Sequence, residues 1–398
     1  MTERTHAVKF ASDAASFLEN SLGSYIEHGH EAPVLNTYEE PSEMTWYRIP
    51  LEEGLCGDGS PYHMYLKKGT CDDLCIFLSA GGVVWNAFTA ARPTTWSSTA
   101  AREPNFYWNN LRPITQMMNI NTGITSNEER NPFRTWNFIV IPYATGDFHV
   151  GNGTLAYKDK EGENQILHFH GHANVMAAME QGKKHFPSAS RILLAGDSAG
   201  AFGVPALADE ILAQYPDCND ITLLSDSGQL PNEDWTGIAR DVWHADEKYW
   251  NCLSTRNITL DWYENLLQHT GRHMRLLYAS STHDYLLSTF FNDMTNEVFA
   301  TDADVRNAYF EEMKHMVRQL NDLGFAFFCN AWENPLFTKA QHGTIHTAVR
   351  TPYFFTINNA PPGTMENHVC LSGVSMAEWL MDQVNDVRYD VGTGLLEE

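Results

Sequence analysis

The chain has 398 residues, of which 43% are hydrophobic, and a formal net charge of −24 at neutral pH. A negative field of that size repels polyanions, which argues against nucleic acid or anionic membrane partners and favours a neutral or cationic ligand. No apolar run reaches the roughly 18 residues of a membrane span, and Met1–His6 lacks the apolar core of a secretory signal. We therefore expect a soluble, cytoplasmic protein; the oligomeric state stays open.

The first 45 residues are predicted to form an N-terminal extension with a helix from Ala11 to Leu22. Residues 46–398 are then expected to form a single catalytic domain, because large α/β enzymes often build one continuous sheet with inserted segments.

Short apolar runs and helical patterns alternate through this domain. Several of the runs are continuously apolar, as strands covered on both faces are, and the alternation favours a mostly parallel central sheet with flanking helices. The predicted strands are His63–Lys67, Leu74–Ser79, Phe138–Pro142, Ile192–Ala195, Ile221–Ser225, Met274–Ser280 and Phe325–Asn330. The predicted helices are Ala173–His185, Ala199–Tyr215, Ala303–Leu323 and one that starts at the capping box Ser375–Glu378.

Two long segments, at about 86–134 and 229–266, interrupt the alternation. Ordered segments of this length usually carry function, so we interpret them as caps over a site. Both are rich in aromatic residues, which either line a cleft for a sugar, aryl or acyl group or simply pack the caps down. These aromatics are Trp96, Phe106, Tyr107, Trp108, Trp235, Trp243, Trp250 and Trp262.

The run Arg191–Gly200 is an apolar strand, a Gly-x-Ser-x-Gly motif and the start of a helix. This is the layout of a nucleophile elbow, in which Ser198 stands on a sharp turn between small neighbours. The N–H of Ala199 lies at the start of the helix, where it can stabilise an oxyanion. The motif predicts a serine hydrolase with an α/β-hydrolase-like fold.

A serine nucleophile needs a histidine base and an acid that supports it. His342 and His346 both follow the strand around Phe327, and Asp284 follows the strand that ends at Ser280. The order Ser, Asp, His suits this architecture. Asp226 also follows a strand and is the alternative acid, although an aspartate before Ser-Gly more often holds a turn.

The second oxyanion donor is expected in a loop after an earlier strand. Gly81 and Gly82 follow the strand Ile76–Ser79, and paired glycines let the backbone approach an oxyanion. Together with Ala199 they form the predicted oxyanion hole; an ordinary glycine turn is the alternative.

Metal binding is not favoured. His168, His170 and His172 alternate along the chain, but no carboxylate or cysteine lies beside them, so local hydrogen bonding is the preferred interpretation. Cys71 and Cys75, the closest pair among seven cysteines, are interpreted as structural or disulfide-bonded rather than as metal ligands. We predict no metal and no other cofactor.

Several blocks occur in an order that resembles the pectin acetylesterase family, which includes the Wnt-deacylating Notum enzymes, and in particular its bacterial branch. They are Trp46 through Cys56–Tyr62, Ala80–Asn86, Asn131–Pro132, Ile141–Asp147, Gly196–Gly200, and His346–Thr347 followed by Pro352–Thr356. The resemblance implies metal-independent hydrolysis of O-acyl esters by Ser198, Asp284 and His346, with Gly81, Gly82 and Ala199 as oxyanion donors.

Within these blocks, Trp85, Asp147 and His149 are candidate substrate contacts, although Asp147 and His149 are interpreted first as ordering their loop. The chain departs from the family at several positions. The family's usual cysteines are missing from the glycine-rich loop and from the Ile141–Asp147 block, where Ala144 stands instead. Ala201 replaces a glycine after the serine, and Pro205 lies early in the following helix, which it can bend. These departures count against export and against pectin as the substrate.

We therefore expect a serine esterase that removes an O-acyl group, first of all O-acetyl, from a neutral sugar or small-molecule ester through an acyl-enzyme on Ser198. An amidase or longer-chain deacylase with the same triad is one alternative. A catalytically inactive binding protein on a hydrolase fold is another.

Overall fold

The structure is a computed structural model that describes residues 31–36, 39–101, 103–333, 343–365 and 368–397. The predicted helix from Ala11 to Leu22 and the alternative base His342 lie outside the described residues.

A large mixed sheet forms the centre of the molecule. The strands of the structure are β1 Trp46–Leu55, β2 Pro61–Lys67, β3 Leu74–Leu78, β4 Asn137–Ile141, β5 Gly153–Lys158, β6 Asn164–Phe169, β7 Ile192–Asp197, β8 Ile221–Asp226, β9 Arg275–Ser281, β10 Ala326–Asn330, β11 Ile357–Asn358, β12 Cys370–Leu371, β13 Val374–Ser375 and β14 Asp390–Val391. Among the described residues the central sheet runs in the order β1-β2-β4-β3-β7-β8-β9-β10-β14-β12. The pairs β1–β2 and β2–β4 are antiparallel, and every pair from β4 to β12 is parallel.

Helices connect the parallel strands and pack on the two faces of the sheet. They are α1 Ala87–Ala90, α2 Trp96–Ala101, α3 Pro113–Asn119, α4 Gly171–His185, α5 Ala199–Ala213, α6 Trp235–Gly237, α7 Glu247–Trp250, α8 Ile258–His269, α9 Tyr285–Asn296, α10 Ala303–Asp322 and α11 Met376–Val384. Single turns of 3₁₀-helix lie at Gly123–Thr125, Pro352–Phe355 and Thr393–Leu396, and a π-helical turn lies at Ile238–Val242.

The predicted fold class is confirmed: the sheet is mostly parallel and is flanked by helices, as in the α/β hydrolases. The predicted strands and helices occur with small shifts at their ends, and Ser375 and Glu378 form the predicted capping box. The sequence reading missed β1, the antiparallel hairpin β5–β6, and helices α8 and α9.

Residue alternation along the central strands divides the core into two layers. In β3, Leu74, Ile76 and Leu78 belong to the layer that also contains residues of α4, α5, α8 and α10. Cys75 and Phe77 of the same strand face the other layer, which includes residues of α11. Both faces of β3 are therefore covered, which explains its unbroken apolar sequence.

The first segment predicted as a cap contains α1 to α3, and the second contains α6, α7 and most of α8. Trp235, Trp243 and Trp262 of the second segment are almost completely buried. Their indole N–H groups donate to the backbone carbonyls of Leu230, Val84 and Tyr249. These three rings pack the segment onto the domain rather than line a cleft; that the segments cover a substrate stays a prediction.

All seven cysteines are free, so the disulfide interpretation of Cys71 and Cys75 is wrong. Cys75 is fully buried in the core, and the Cys71 thiol donates to the Thr135 carbonyl at 3.2 Å. Both thiols are therefore used in packing and hydrogen bonding. Within the part of the chain that the structure describes, no helix has the length and apolarity needed to cross a bilayer.

Candidate active site

Ser198 stands between β7 and α5 with φ 49° and ψ −119°, a conformation that few residues other than glycine adopt. Its backbone N–H donates to the Asp226 carbonyl at 2.8 Å, which ties the turn to the end of the neighbouring strand. A Cβ at Gly200 would lie 1.9 Å from the Leu78 carbonyl oxygen, so only glycine allows α5 to approach β3 this closely. The motif therefore forms the strained elbow that its spacing predicts.

The glycine-rich loop lies beside this elbow because β3 pairs with β7 in parallel register, Leu78 opposite Gly196. Gly82 has φ 81°, and a Cβ there would lie 1.9 Å from the Phe106 carbonyl oxygen. The backbone N–H groups of Gly81, Gly82 and Ala199 donate to no other described residue. These three groups are thus free to bind a ligand oxygen.

His346 pairs with Asp284. Its Nδ1 lies 2.6 Å from Asp284 Oδ2, and the Asp284 side chain is completely buried. Asp284 is also the N-cap of α9, where its Oδ1 accepts the backbone N–H groups of Leu286 and Leu287. These bonds fix the carboxylate, which in turn holds the imidazole with Nδ1 as the donor.

Asp226, the alternative acid, has a different set of partners. Its Oδ2 accepts the backbone N–H groups of Ala348 and Val349 at 2.7 and 2.8 Å. Its Oδ1 accepts the Ser227 hydroxyl at 3.1 Å. Because the Asp226 backbone also binds Ser198, this residue holds the elbow and the loop that follows His346 close together. Burial raises the pKa of Asp226 to about 6.

The surroundings of His346 favour its charged form. Burial by itself would lower the pKa of His346, but the contact with Asp284 and the charges of Asp226 and Asp197 outweigh burial, so the pKa lies above the usual value. An imidazolium formed by taking a proton is therefore stabilised here.

The predicted base and the predicted nucleophile are not hydrogen-bonded to each other. His346 Nε2 is buried and has no hydrogen-bond partner among the described residues, and no hydrogen bond joins it to the Ser198 hydroxyl. Catalytic hydrogen bonds are often long in ligand-free sites and tighten when substrate binds. The arrangement brings Asp284 and His346 together and leaves Nε2 available.

The candidate substrate contacts are all buried. Trp85 packs against the rings of Phe106 and Phe290, with centroids 4.9 and 5.8 Å away. Asp147 is completely buried, and its oxygens accept the Thr145 hydroxyl and the backbone N–H groups of His149 and Gly171.

His149 lies behind the glycine-rich loop, where its Nε2 is 3.1 Å from the Ser79 carbonyl oxygen. Burial lowers the pKa of His149 to about 4, so this ring is neutral and donates. These contacts favour the interpretation that Asp147 and His149 order their loop.

Two of the three histidines near residue 170 contact residues that are distant in the sequence, whereas the sequence predicts local hydrogen bonding. His170 Nε2 lies 3.0 Å from the Glu53 carbonyl oxygen, and His172 Nε2 lies 3.1 Å from Glu210 Oε2. His168 lies in β6, before the helix that carries His172 begins at Gly171. Within the described ranges, no group of three or more His, Cys, Asp or Glu residues is arranged to hold a metal ion.

The sequence reading missed a buried ion pair, Arg350–Asp197, next to the nucleophile. Asp197 could have been suspected because it precedes Ser198 in the motif. Arg350 gives no such signal, since only the fold brings the loop after His346 to the end of β7.

In a comparison with protein families, the family described as Pectinacetylesterase matches residues 39–302. No curated protein matches the chain. The matched range includes the glycine-rich loop, the elbow at Ser198 and Asp284, and it ends before His346. Since the match spans well over half of the chain, this protein belongs to the pectinacetylesterase family and is a carboxylic ester hydrolase.

Proposed function

We propose that the protein removes O-acetyl groups from a neutral sugar or a small-molecule ester through an acyl-enzyme on Ser198. The contact of 2.6 Å between His346 Nδ1 and Asp284 Oδ2, at the edge of the sheet where Ser198 lies, carries this proposal. The family assignment supports ester hydrolysis as the reaction class.

In the first half of the reaction, His346 Nε2 takes the proton of the Ser198 hydroxyl while Oγ attacks the ester carbonyl carbon. The carbonyl oxygen becomes negative and is stabilised by the backbone N–H groups of Gly81, Gly82 and Ala199. Collapse of this intermediate breaks the bond to the alcohol oxygen, which receives the proton from His346. Asp284 holds the imidazole and stabilises its charged form.

In the second half, water replaces the alcohol. His346 Nε2 takes a proton from the water as it attacks the acyl carbon, and a second oxyanion forms in the same hole. Breaking the bond to Ser198 Oγ releases the carboxylic acid, and the proton returns to the serine. No metal or organic cofactor takes part in the proposed sequence.

Two observations support a small acyl group on a neutral alcohol. Ser198 is only 5% exposed, and a small acyl group such as acetyl needs the least space at so enclosed a residue. The net charge of −24 opposes the approach of a polyanionic substrate. The cytoplasmic location expected from the sequence stays a prediction.

Two assays test this function: labelling by an active-site probe and turnover of an ester. Each compares the wild type with the Ser198→Ala variant. We expect a fluorophosphonate probe to label the wild type and p-nitrophenyl acetate to be hydrolysed, because both reactions require an activated serine. The Ser198→Ala variant loses labelling, and its kcat falls by about 10⁶-fold. A wild-type protein that neither labels nor turns over would instead be an inactive binding protein on this fold.

A substrate panel then defines the acyl group and the alcohol. Acetyl to long-chain esters, the matching amides, and acetylated neutral and acidic sugars are compared by kcat/KM. We expect the highest value for an acetylated neutral compound. A preference for long acyl chains or for amides would replace the acetylesterase assignment while keeping Ser198 as nucleophile.

A further inference from the structure

We propose that Arg350 is a positioning residue that sets the geometry of the glycine-rich loop, which carries Gly81 and Gly82, through Asp197. This inference rests on the proposed reaction at Ser198. It assigns a task to a buried ion pair that links the loop after His346, the elbow and the glycine-rich loop.

The Arg350 guanidinium is almost completely buried and uses its donors on three partners. Nε and Nη2 donate to Asp197 Oδ2 at 3.1 and 3.0 Å. Nη1 donates to Ser79 Oγ at 2.8 Å and to Asn119 Oδ1 at 2.9 Å. A planar fork with fixed donor directions satisfies these acceptors together, which a lysine ammonium cannot do.

The second carboxylate oxygen of Asp197 binds the glycine-rich loop. Asp197 Oδ1 accepts the backbone N–H of Ala80 at 2.8 Å. Ala80 lies one residue before Gly81, and Asp197 lies one residue before Ser198. A single carboxylate therefore joins the residue preceding the oxyanion donors to the residue preceding the nucleophile.

Ser79 gives the loop a second attachment. Its hydroxyl lies between Arg350 Nη1 and Asn119 Oδ1, and its carbonyl oxygen lies 3.1 Å from His149 Nε2. The loop base is thus held by buried polar contacts, while the N–H groups of Gly81 and Gly82 stay free of other described partners. Donors preorganised in this way stabilise a forming oxyanion without reorganisation, and a displacement of about 1 Å can cost about a hundredfold in rate.

The test compares the wild type with Arg350→Lys, which keeps the charge and loses the fork. We expect kcat for p-nitrophenyl acetate to fall by about a hundredfold, with KM little changed, because the lost alignment matters in the transition state. A boronic acid that forms a tetrahedral adduct on Ser198 provides a second measurement, and its affinity falls by a similar factor because its oxygen occupies the same hole.

Arg191 provides a matched control on the same two strands. It precedes β7 and donates to Asp73, the residue before β3, through Nε at 3.1 Å and Nη2 at 2.7 Å. The pairs Arg191–Asp73 and Arg350–Asp197 therefore join β7 to the β3 region at opposite ends of these strands. We expect Arg191→Lys to alter thermal stability at most and to leave kcat and boronate affinity unchanged.

A double variant covers the case in which Arg350→Lys fails to fold. Asp197→Asn combined with Arg350→Gln removes both charges, so neither is left buried without a partner. If Arg350 acts by positioning, the double variant folds but keeps a kcat about a hundredfold below wild type. Wild-type kcat and boronate affinity in either Arg350 variant would overturn the inference. A wild type without turnover would contradict the proposed reaction instead.

Discussion

Two histidine–aspartate pairs in this molecule have nearly the same geometry. His346 Nδ1 lies 2.6 Å from Asp284 Oδ2, and His368 Nδ1 lies 2.6 Å from Asp390 Oδ2. Both carboxylates are completely buried, and each uses its other oxygen to accept backbone N–H, from Phe327 in the case of Asp390. The bond lengths alone do not separate a candidate catalytic pair from a structural one.

The surroundings of the two imidazoles separate them. Asp226 binds Ser198 in the strained elbow through its backbone carbonyl, and its carboxylate binds Ala348 and Val349 in the loop that follows His346. The Nε2 of His346 is buried and has no partner among the described residues. His368 precedes the short strand β12 at the edge of the sheet and stacks on the Phe327 ring at 6.4 Å. A His–Asp pair therefore indicates catalysis only when a nucleophile accompanies it.

The largest difference is expected when each carboxylate is neutralised in turn. Asp284→Asn lowers kcat for p-nitrophenyl acetate by about 10⁴-fold, because the amide no longer holds the required tautomer or stabilises the imidazolium. Asp390→Asn, the matched control, leaves kcat unchanged. Steady-state kinetics measure both, and equal losses in the two variants would remove the distinction between the pairs.

The pH dependence of kcat/KM is expected to report His346. The base must be neutral to accept the serine proton, and its pKa is raised, so activity rises with pH through an inflection above about 6.5. Below the inflection we expect a fall of about tenfold per pH unit. In Asp284→Asn the residual activity has a lower inflection, because the contact with the carboxylate is one cause of the raised pKa.

The raised pKa of His346 also makes the stability of the folded protein depend on pH. Because the pKa of His346 is higher in the folded protein than in the unfolded chain, its contribution is fully present below the unfolded value. This contribution is lost as pH rises through the folded value. If the kcat/KM profile of the wild type had its inflection at or below the ordinary histidine pKa, the raised pKa of His346 would be contradicted.

The smallest effect is expected at the structural pair. His368→Leu leaves Asp390 Oδ2 buried without its donor, which lowers the free energy of unfolding by about 1–3 kcal/mol, while the folded variant keeps its kcat. Urea denaturation measures the loss, with His273→Leu at an exposed position as the control. A fall in kcat without a loss of stability would give His368 a role in the reaction.

Much of the fold could be predicted because its central strands are covered on both faces. Unbroken apolar runs such as Leu74–Leu78 and Ile192–Ala195 have no solvent-facing positions that would confuse them with loops. The β5–β6 hairpin was missed because it is largely exposed and lies outside the main sheet. Strand β1 was missed because Glu52 and Glu53, both exposed, interrupt its apolar pattern.

The sequence predicts those site residues that lie in a local motif or directly after a strand. Ser198 lies in a local motif, and Asp284 follows a strand, so its place at the carboxyl edge of the sheet could be inferred. The preference for Asp284 over Asp226 followed from the turn that an aspartate before Ser-Gly usually holds, and the family resemblance implied the same acid. The partners of Asp226 and the position of Arg350 depend on strand register and on the path of the loop after His346, neither of which a local pattern contains.

The contacts of Arg350 also bear on how the molecule folds. The guanidinium joins Asp197 across 153 positions of the chain and Ser79 across 271 positions. Contacts between such distant positions form late, because the intervening chain must be ordered before they are made. During refolding, hydrolytic activity is therefore expected to return after the helical signal, and it reports that the whole chain has reached its native topology.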